Sequence, residues 1–273
     1  MKLTALVLAK DETAILTECL AGVRFCDEIV VVFDASGSAE TRAIADQSAD
    51  LVILRHFDNF ADQRNAGLDR ASGDWIFAID ADEFVSVELV ADVRDAIAQE
   101  VYAGFRLRRR SEILGRVFRG SGTQADRPLR LFRRDRGRWV GEVHEEVQLN
   151  GPCGELGSPL LHRTDPDVGS ILAKIELYAN LEAQRRFRQG RRFRPARWLA
   201  RPVWEFAKRF ALKGGFLDGW EGLMFCGLAA VSAAVEEWKL RELASHVNRD
   251  ADAETDSADH DDSSLDAARS GGG

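Results

Sequence analysis

Trp75-Ile76-Phe77-Ala78-Ile79-Asp80-Ala81-Asp82-Glu83 runs an apolar segment straight into three carboxylates, the first two separated only by the small Ala81. A short apolar run entered through the turn Ser72-Gly73 predicts a buried strand over residues 74–79, so the acids stand at its carboxyl end. Hard divalent cations take oxygen ligands, and Mg²⁺ or Mn²⁺ is typically held by one or two carboxylates plus substrate phosphates. Asp80 and Asp82 are therefore candidate metal ligands. The plainer alternative is that Asp80, Asp82 and Glu83 cap the following helix, whose first turn favours acids.

Working outward toward the amino terminus, the same texture recurs. Residues 3–9 are a continuous apolar run ended by Lys10, Asp11 and Glu12, as expected of a strand covered on both faces. A helix over 13–23 and a second buried strand, EIVVVF at 28–33, complete a β-α-β unit. A helix at 40–47, a strand at 51–54 and a helix at 61–71 lead into the acidic strand. This alternation predicts an α/β fold, a mostly parallel sheet flanked by helices. Ligands in such sheets bind beyond the carboxyl ends of the strands, which singles out residues 9–12, 34–38 and 80–83.

Downstream, a helix at 87–100 gives way to shorter strands at 104–107, 129–132 and 143–149, read as a more antiparallel part of the sheet. Helices follow at 168–188, 197–212 and 219–246. Three regions result: a catalytic domain at 1–165, a helical, basic and amphipathic region at 166–246, and a disordered acidic tail at 247–273, rich in Asp, Ser and Gly. The net charge of −8 argues against a surface given over to nucleic acid. Residues 185–213 nevertheless carry eleven Lys and Arg against Glu205 alone, interleaved with Phe and Trp. The four cysteines have no C-x-x-C pair or zinc spacing and read as free thiols in a reducing compartment. Met1 and Lys2 precede no credible signal cleavage site, so the protein is expected in the cytoplasm.

The segments LVLAKDE (6–12), EIVVVFDASGS (28–38), FADQRNAGLDRASGDWIFAIDADE (60–83), LRLFRR (129–134), VHEEV (143–147) and GGFLDGWEGL (214–223) occur in one order across most of the chain. In that combination the chain resembles a family 2 glycosyltransferase of the GT-A (Rossmann-like) fold, particularly the bacterial lipopolysaccharide-core type. The resemblance implies an inverting transfer from a nucleotide-diphosphate-sugar, dependent on Mn²⁺ or Mg²⁺. Asp82 would be the principal metal ligand of a DxD motif, and Asp80 would contact the ribose or the metal. Asp34, with Ala9 and Glu12 at the neighbouring strand end, would border the nucleotide. The family commonly reads D-S-G-S-T-D there, whereas Asp34-Ala35-Ser36-Gly37-Ser38 is one residue out of phase, and a turn-forming Asp34 is the alternative. Arg64 and Asn65 resemble the basic-Asn pair that helps hold the donor; otherwise they are a helix-surface pair.

An acceptor hydroxyl needs a base to remove its proton. Glu145 is the expected base, with His144 and Glu146 as alternatives; strand alternation puts those two on one face and Glu145 on the other. His162 resembles a recurrent family histidine that could approach the metal, or could simply be structural. Arg130, Arg133 and Arg134 could neutralise phosphate. The basic and aromatic stretch followed by the apolar segment 222–235, too short to span a bilayer, fits peripheral contact through 185–235 with the inner face of the cytoplasmic membrane, where a lipid-linked or envelope glycan acceptor would lie; the alternative for 222–235 is a core helix packed on the catalytic domain. Competing readings are a catalytically silent sugar-nucleotide or membrane-binding module on the same fold, and a nucleic-acid binder acting through the basic segment. A sugar nucleotidyltransferase is disfavoured because the first strand leads to Ala9-Lys10-Asp11-Glu12 instead of a Gly-rich loop.

Overall fold

The computed structural model describes residues 1–141, 145–164 and 166–269, with side chains described through Ser245. Strands β1 (Leu3–Ala9), β2 (Glu28–Asp34), β3 (Leu51–Arg55) and β4 (Trp75–Asp80) alternate with helices α1 (Thr13–Gly22), α2 (Ala39–Ser48) and α3 (Phe60–Arg70), as the hydrophobic pattern requires. Then come β5 (Glu83–Phe84), α4 (Val87–Ile97), β6 (Gly104–Arg106), β7 (Arg109–Ile113), β8 (Arg116–Val117), β9 (Leu129–Arg133), β10 (Gly137–Val140), β11 (Glu146–Leu149), β12 (Cys153–Glu155) and β13 (Leu160–Arg163). Helices α5 (Val168–Arg188), α6 (Pro195–Ala207) and α7 (Gly219–Arg269) finish the chain, with a π turn over Lys208–Leu212 and a 3₁₀ turn over Gly215–Asp218.

The main sheet has the order β12-β6-β9-β4-β1-β2-β3. Neighbours from β4 through β3 are parallel, while β9 runs antiparallel to both β4 and β6. Side-chain alternation along β1 explains its continuous apolar run. Leu3, Ala5, Val7 and Ala9 enter one hydrophobic layer with Phe77 and Ile79, and Leu6 enters the other with Val30, Val32 and Ile76. Each fully buried large side chain here contributes on the order of 1.5–3 kcal/mol. Helix α3 lies close on the second layer: a Cβ at Gly67 would sit 2.2 Å from Leu6 Cδ1, so only glycine fits. That contact turns Arg64, Asn65 and Leu68 toward the sheet, and all three are buried.

A second sheet, in the order β5-β13-β7-β8, was not expected. Its strands are two to five residues long and mix Arg, Glu and Ser with apolar residues, so no alternation announces them. Helix α4 ends at Ile97, short of the expected 100, within the fraying common at helix ends. The strand expected at 143–149 is described only from Glu146, where it pairs with β10; residues 142–144, His144 among them, lie outside the described residues.

The chain divides into two compact units. One holds Met1–Val168 with Lys213–Leu223, and the other holds Gly169–Leu212 with Met224–Gly273. The segment 213–223, expected in the helical region, is thus part of the first unit. The expected tail at 247–273 falls where side chains are not described, although helix α7 is traced to Arg269. No helix among the described residues is long and apolar enough to cross a membrane.

Candidate active site

Strand pairing gathers the expected residues. Leu8 is in register with Asp80 and Ala9 with Phe33, so the carboxyl ends of β4, β1 and β2 form a row with strands ~4.8 Å apart. Loops 10–12 and 34–38 knit together beyond it. Glu12 accepts the backbone N–H of Lys10 at 2.7 Å and of Asp11 at 3.1 Å, and Ser38 N–H donates to Asp11 at 2.8 Å. Asp34 Oδ1 accepts from both the backbone and the hydroxyl of Ser36 at 2.9 Å, and Lys10 Nζ lies 3.2 Å from Oδ2. Burial alone would raise its pKa, but the Ser36 hydrogen bonds and Lys10 outweigh that and hold it low. Asp34 therefore forms the turn at the strand end.

The acids do not cap the next helix: Ser86 does, its hydroxyl accepting from Leu89 N–H at 3.2 Å. Asp80 is instead held between two buried arginines. Oδ1 accepts from Arg64 Nη2 at 2.6 Å, and Oδ2 accepts from Arg130 Nη2. Burial opposes the charge on Asp80, yet Arg130 and then Arg64 overcompensate and keep its pKa well below the carboxylate range. Glu83, fully buried, locks the turn. It accepts Asp80 N–H at 3.0 Å, Arg130 at 2.6 Å and Arg109 at 3.2 Å, and Arg109 also donates to Asp126 at 2.6 Å. Arg109 and its partner Asp126 were not singled out from the sequence. Of the LRLFRR arginines only Arg130 enters this network: Arg133 lies over the Trp75 ring at 4.9 Å, and Arg134 donates to Gly73 O at 2.9 Å.

Asp82 has a different neighbour. His162, brought beside the turn by the β13–β5 pairing of His162 with Glu83, places Nε2 3.1 Å from Asp82 Oδ2. The expected trio of Asp80, Asp82 and His162 is thus divided: both Asp80 oxygens are taken by guanidinium, leaving Asp82 and His162 as the pair open to a cation. Among the described residues no group of three or more His, Cys, Asp or Glu is placed to hold a metal. The pair fits Mn²⁺ or Mg²⁺ only as a partial set, one carboxylate and one imidazole nitrogen, so a bound ion would need further oxygen ligands from outside the described residues.

Glu145 points at the same place. Its Oε1 lies 3.4 Å from Arg64 Nε, whereas Glu146 begins β11 exposed. Arg64 therefore bridges Asp80 and Glu145, and its buried Nη1 has no partner among the described residues. Arg64 and Asn65 are not a surface pair. Asn65, however, gives its amide to the Trp139 peptide unit, donating at 2.9 Å and accepting at 3.1 Å, which pins β10 to α3.

The glycosyl transferase family 2 model matches residues 4–148, more than half of the chain and all but His162 of this constellation. The chain belongs to glycosyl transferase family 2. Over 246 residues it is 26% identical to the lipopolysaccharide core biosynthesis glycosyltransferase LpsC of Rhizobium meliloti, covering 84% of this chain and 91% of the relative. It is 24% identical to an uncharacterized glycosyltransferase of Rickettsia felis, covering 88% and 90%. Among solved structures it is similar to the mannosyltransferase PcManGT of Pyrobaculum calidifontis, in complex with GDP-Man and Mn²⁺, at TM-score 0.51 and 15% identity over 88% of this chain and 86% of that one. This likeness supports the GT-A fold of the family 2 glycosyltransferase.

Proposed function

We propose that this family 2 glycosyltransferase is a metal-dependent, inverting enzyme that transfers a sugar from a nucleotide-diphosphate-sugar to a lipid-linked or cell-envelope glycan of the lipopolysaccharide-core class. The observation that carries the reading is the Asp82–His162 pair, 3.1 Å apart at the carboxyl end of β4, beside an Asp80 already neutralised by arginine. Asp82 and His162 would hold Mn²⁺ or Mg²⁺, which when bound supplies charge neutralisation to a departing diphosphate. Asp80, with both oxygens on guanidinium, acts on the nucleotide side by keeping Arg64 in place. Arg64 offers Nη1, which has no partner among the described residues, to a donor oxygen, in line with the rule that buried donors find acceptors. Ala9, Glu12 and Asp34 shape the nucleotide side, and Asn65 supports it by fixing β10. Glu145 is assigned as the base that takes the acceptor hydroxyl proton while diphosphate leaves from the opposite face of the sugar.

Membrane contact from the cytoplasmic side is part of the proposal. Much of the positive charge in 185–213 is consumed internally: Arg186 and Arg197 reach Glu237, Arg201 reaches Glu236, Arg185 reaches Glu182, and Lys208 reaches Glu205. That pairing reduces the free charge open to any polyanion and leaves the exposed apolar side chains of α6 as the larger feature, so with a net charge of −8 nucleic acid is not a proposed partner.

The test is Asp82→Ala, assayed by thermal shift with UDP-, GDP-, ADP- and CMP-linked sugars with and without Mn²⁺. Wild type should show a manganese-dependent stabilisation with one donor class. The variant should lose it, and lose transfer by about 10²-fold or more, because several kcal/mol of charge stabilisation disappear. An Asp82→Ala protein that still couples manganese to nucleotide binding overturns the assignment.

A further inference from the structure

The segment 213–222, whose GGFLDGW motif has no role in the site above, is bolted onto the second sheet. Asp218 is fully buried. Its carboxylate accepts the backbone N–H of Arg119 at 2.6 Å and of Gly120 at 3.0 Å, and the hydroxyl of Ser121 at 3.0 Å. Gln124 donates to Lys213 O at 3.3 Å. A Cβ on Gly120 would fall 2.1 Å from Gly214 O, so the two backbones touch with no room for a side chain. A carboxylate that satisfies three donors out of water fixes both segments as one rigid piece.

Strand register shows where that piece lies. Across the second sheet Glu83 pairs with His162, His162 pairs with Ser111, and Phe118 N–H donates to Ser111 O at 2.9 Å. Two strand steps separate His162 from Phe118, about 10 Å. The Asp218-held loop starts one residue later. To solvent this rigid piece presents Trp220, 82% exposed, and Leu217, 56% exposed. An indole held in water on a clamped backbone is an apolar plate of the kind that stacks on the C–H face of a pyranose ring. Of the cations near it, Arg116 lies 3.5 Å from Glu221, and the stretch is less dense in cations than residues 185–213, which are expected to meet an anionic bilayer.

We infer that Trp220, held by the Asp218 clamp, is an acceptor-glycan subsite, engaging a sugar ring of the acceptor at a distance from the ring that is glycosylated. The inference rests on the transferase reading. Asp218 is then a positioning residue and Trp220 a binding residue.

The experiment measures binding of delipidated core oligosaccharide, released from rough-type lipopolysaccharide, by saturation-transfer NMR and calorimetry on the full chain. Wild type binds. Trp220→Ala weakens binding about tenfold, and Trp220→Phe restores most of it. Because Trp220 is exposed, Trp220→Ala keeps the manganese-dependent thermal shift with nucleotide, which establishes that the fold and donor side are intact. Asp218→Asn lowers oligosaccharide affinity in the same direction. Unchanged affinity in Trp220→Ala overturns the inference. So does wild type that responds to nucleotide and manganese but ignores the oligosaccharide, and so does a Trp220→Ala defect confined to binding phosphatidylglycerol vesicles. Wild type that responds to neither nucleotide nor oligosaccharide overturns both this inference and the reading beneath it.

Discussion

Arg130 and Asp82 sit 50 and 2 residues from Asp80 in sequence, yet they divide the work at one turn in opposite ways. Arg130 is nearly buried and serves both Asp80 and the fully buried Glu83, so its loss leaves two acids short of a partner. Arg130→Met is expected to destabilise the protein by about 3–5 kcal/mol, read from urea unfolding, because breaking a buried pair leaves an uncompensated charge in the interior. Asp82→Ala, at a partly exposed carboxylate, should leave the unfolding midpoint close to wild type while abolishing the manganese response. The DxD pair was legible in sequence because a buried strand ends on it. How the pair splits between arginine and histidine was not, since that depends on Arg64, Arg130 and His162 arriving from other elements. Asn65 shows the same limit: its neighbour Arg64 bridges two acids, while its own amide is spent on Trp139.

At the level of elements, the β-α repeat through β4 could be read off periodicity, since β1, β2 and β4 are apolar runs buried on both faces and the edge strand β3 is an apolar run of the same kind, half-buried. The second sheet could not, because β5 and β8 are two residues long and β7 carries Arg109, Arg110, Ser111 and Glu112. It is that sheet which brings His162 to Asp82. Helix α6 carries a different signal. Leu199, Val203 and Trp204 are 64%, 71% and 57% exposed on one face, with exposed Arg191, Arg192 and Arg194 just before the helix. If this face meets an anionic bilayer, the triple substitution Leu199→Ser, Val203→Ser, Trp204→Ser should lower cosedimentation with phosphatidylglycerol vesicles severalfold. It should leave the melting temperature unchanged, because no core contact is lost. Wild-type binding should weaken as salt is raised.

For the whole molecule, the net charge of −8 hides many pairs between basic side chains and carboxylates, and three of those acids are shifted toward ionisation. Burial opposes that ionisation at Asp80, Asp34 and Glu28, but their hydrogen bonds and cationic neighbours prevail and hold all three pKa values below the ordinary range. A folded pKa below the unfolded one stabilises the fold above the unfolded value, and this contribution drains away as pH falls toward the folded value. Stability should therefore be nearly flat between about pH 7 and 5 and decline below about pH 4, measured by urea midpoints across that series. A midpoint that rises on acidification would contradict the pairing. The discontinuous make-up of the first unit, Met1–Val168 with Lys213–Leu223, carries one more implication. A nascent polypeptide emerging from the ribosome meets the partner for its Gly120 loop only after some ninety further residues have been translated, so the catalytic half matures late and a chain cut after residue 168 should emerge with that glycine-lined seam bare and prone to self-association.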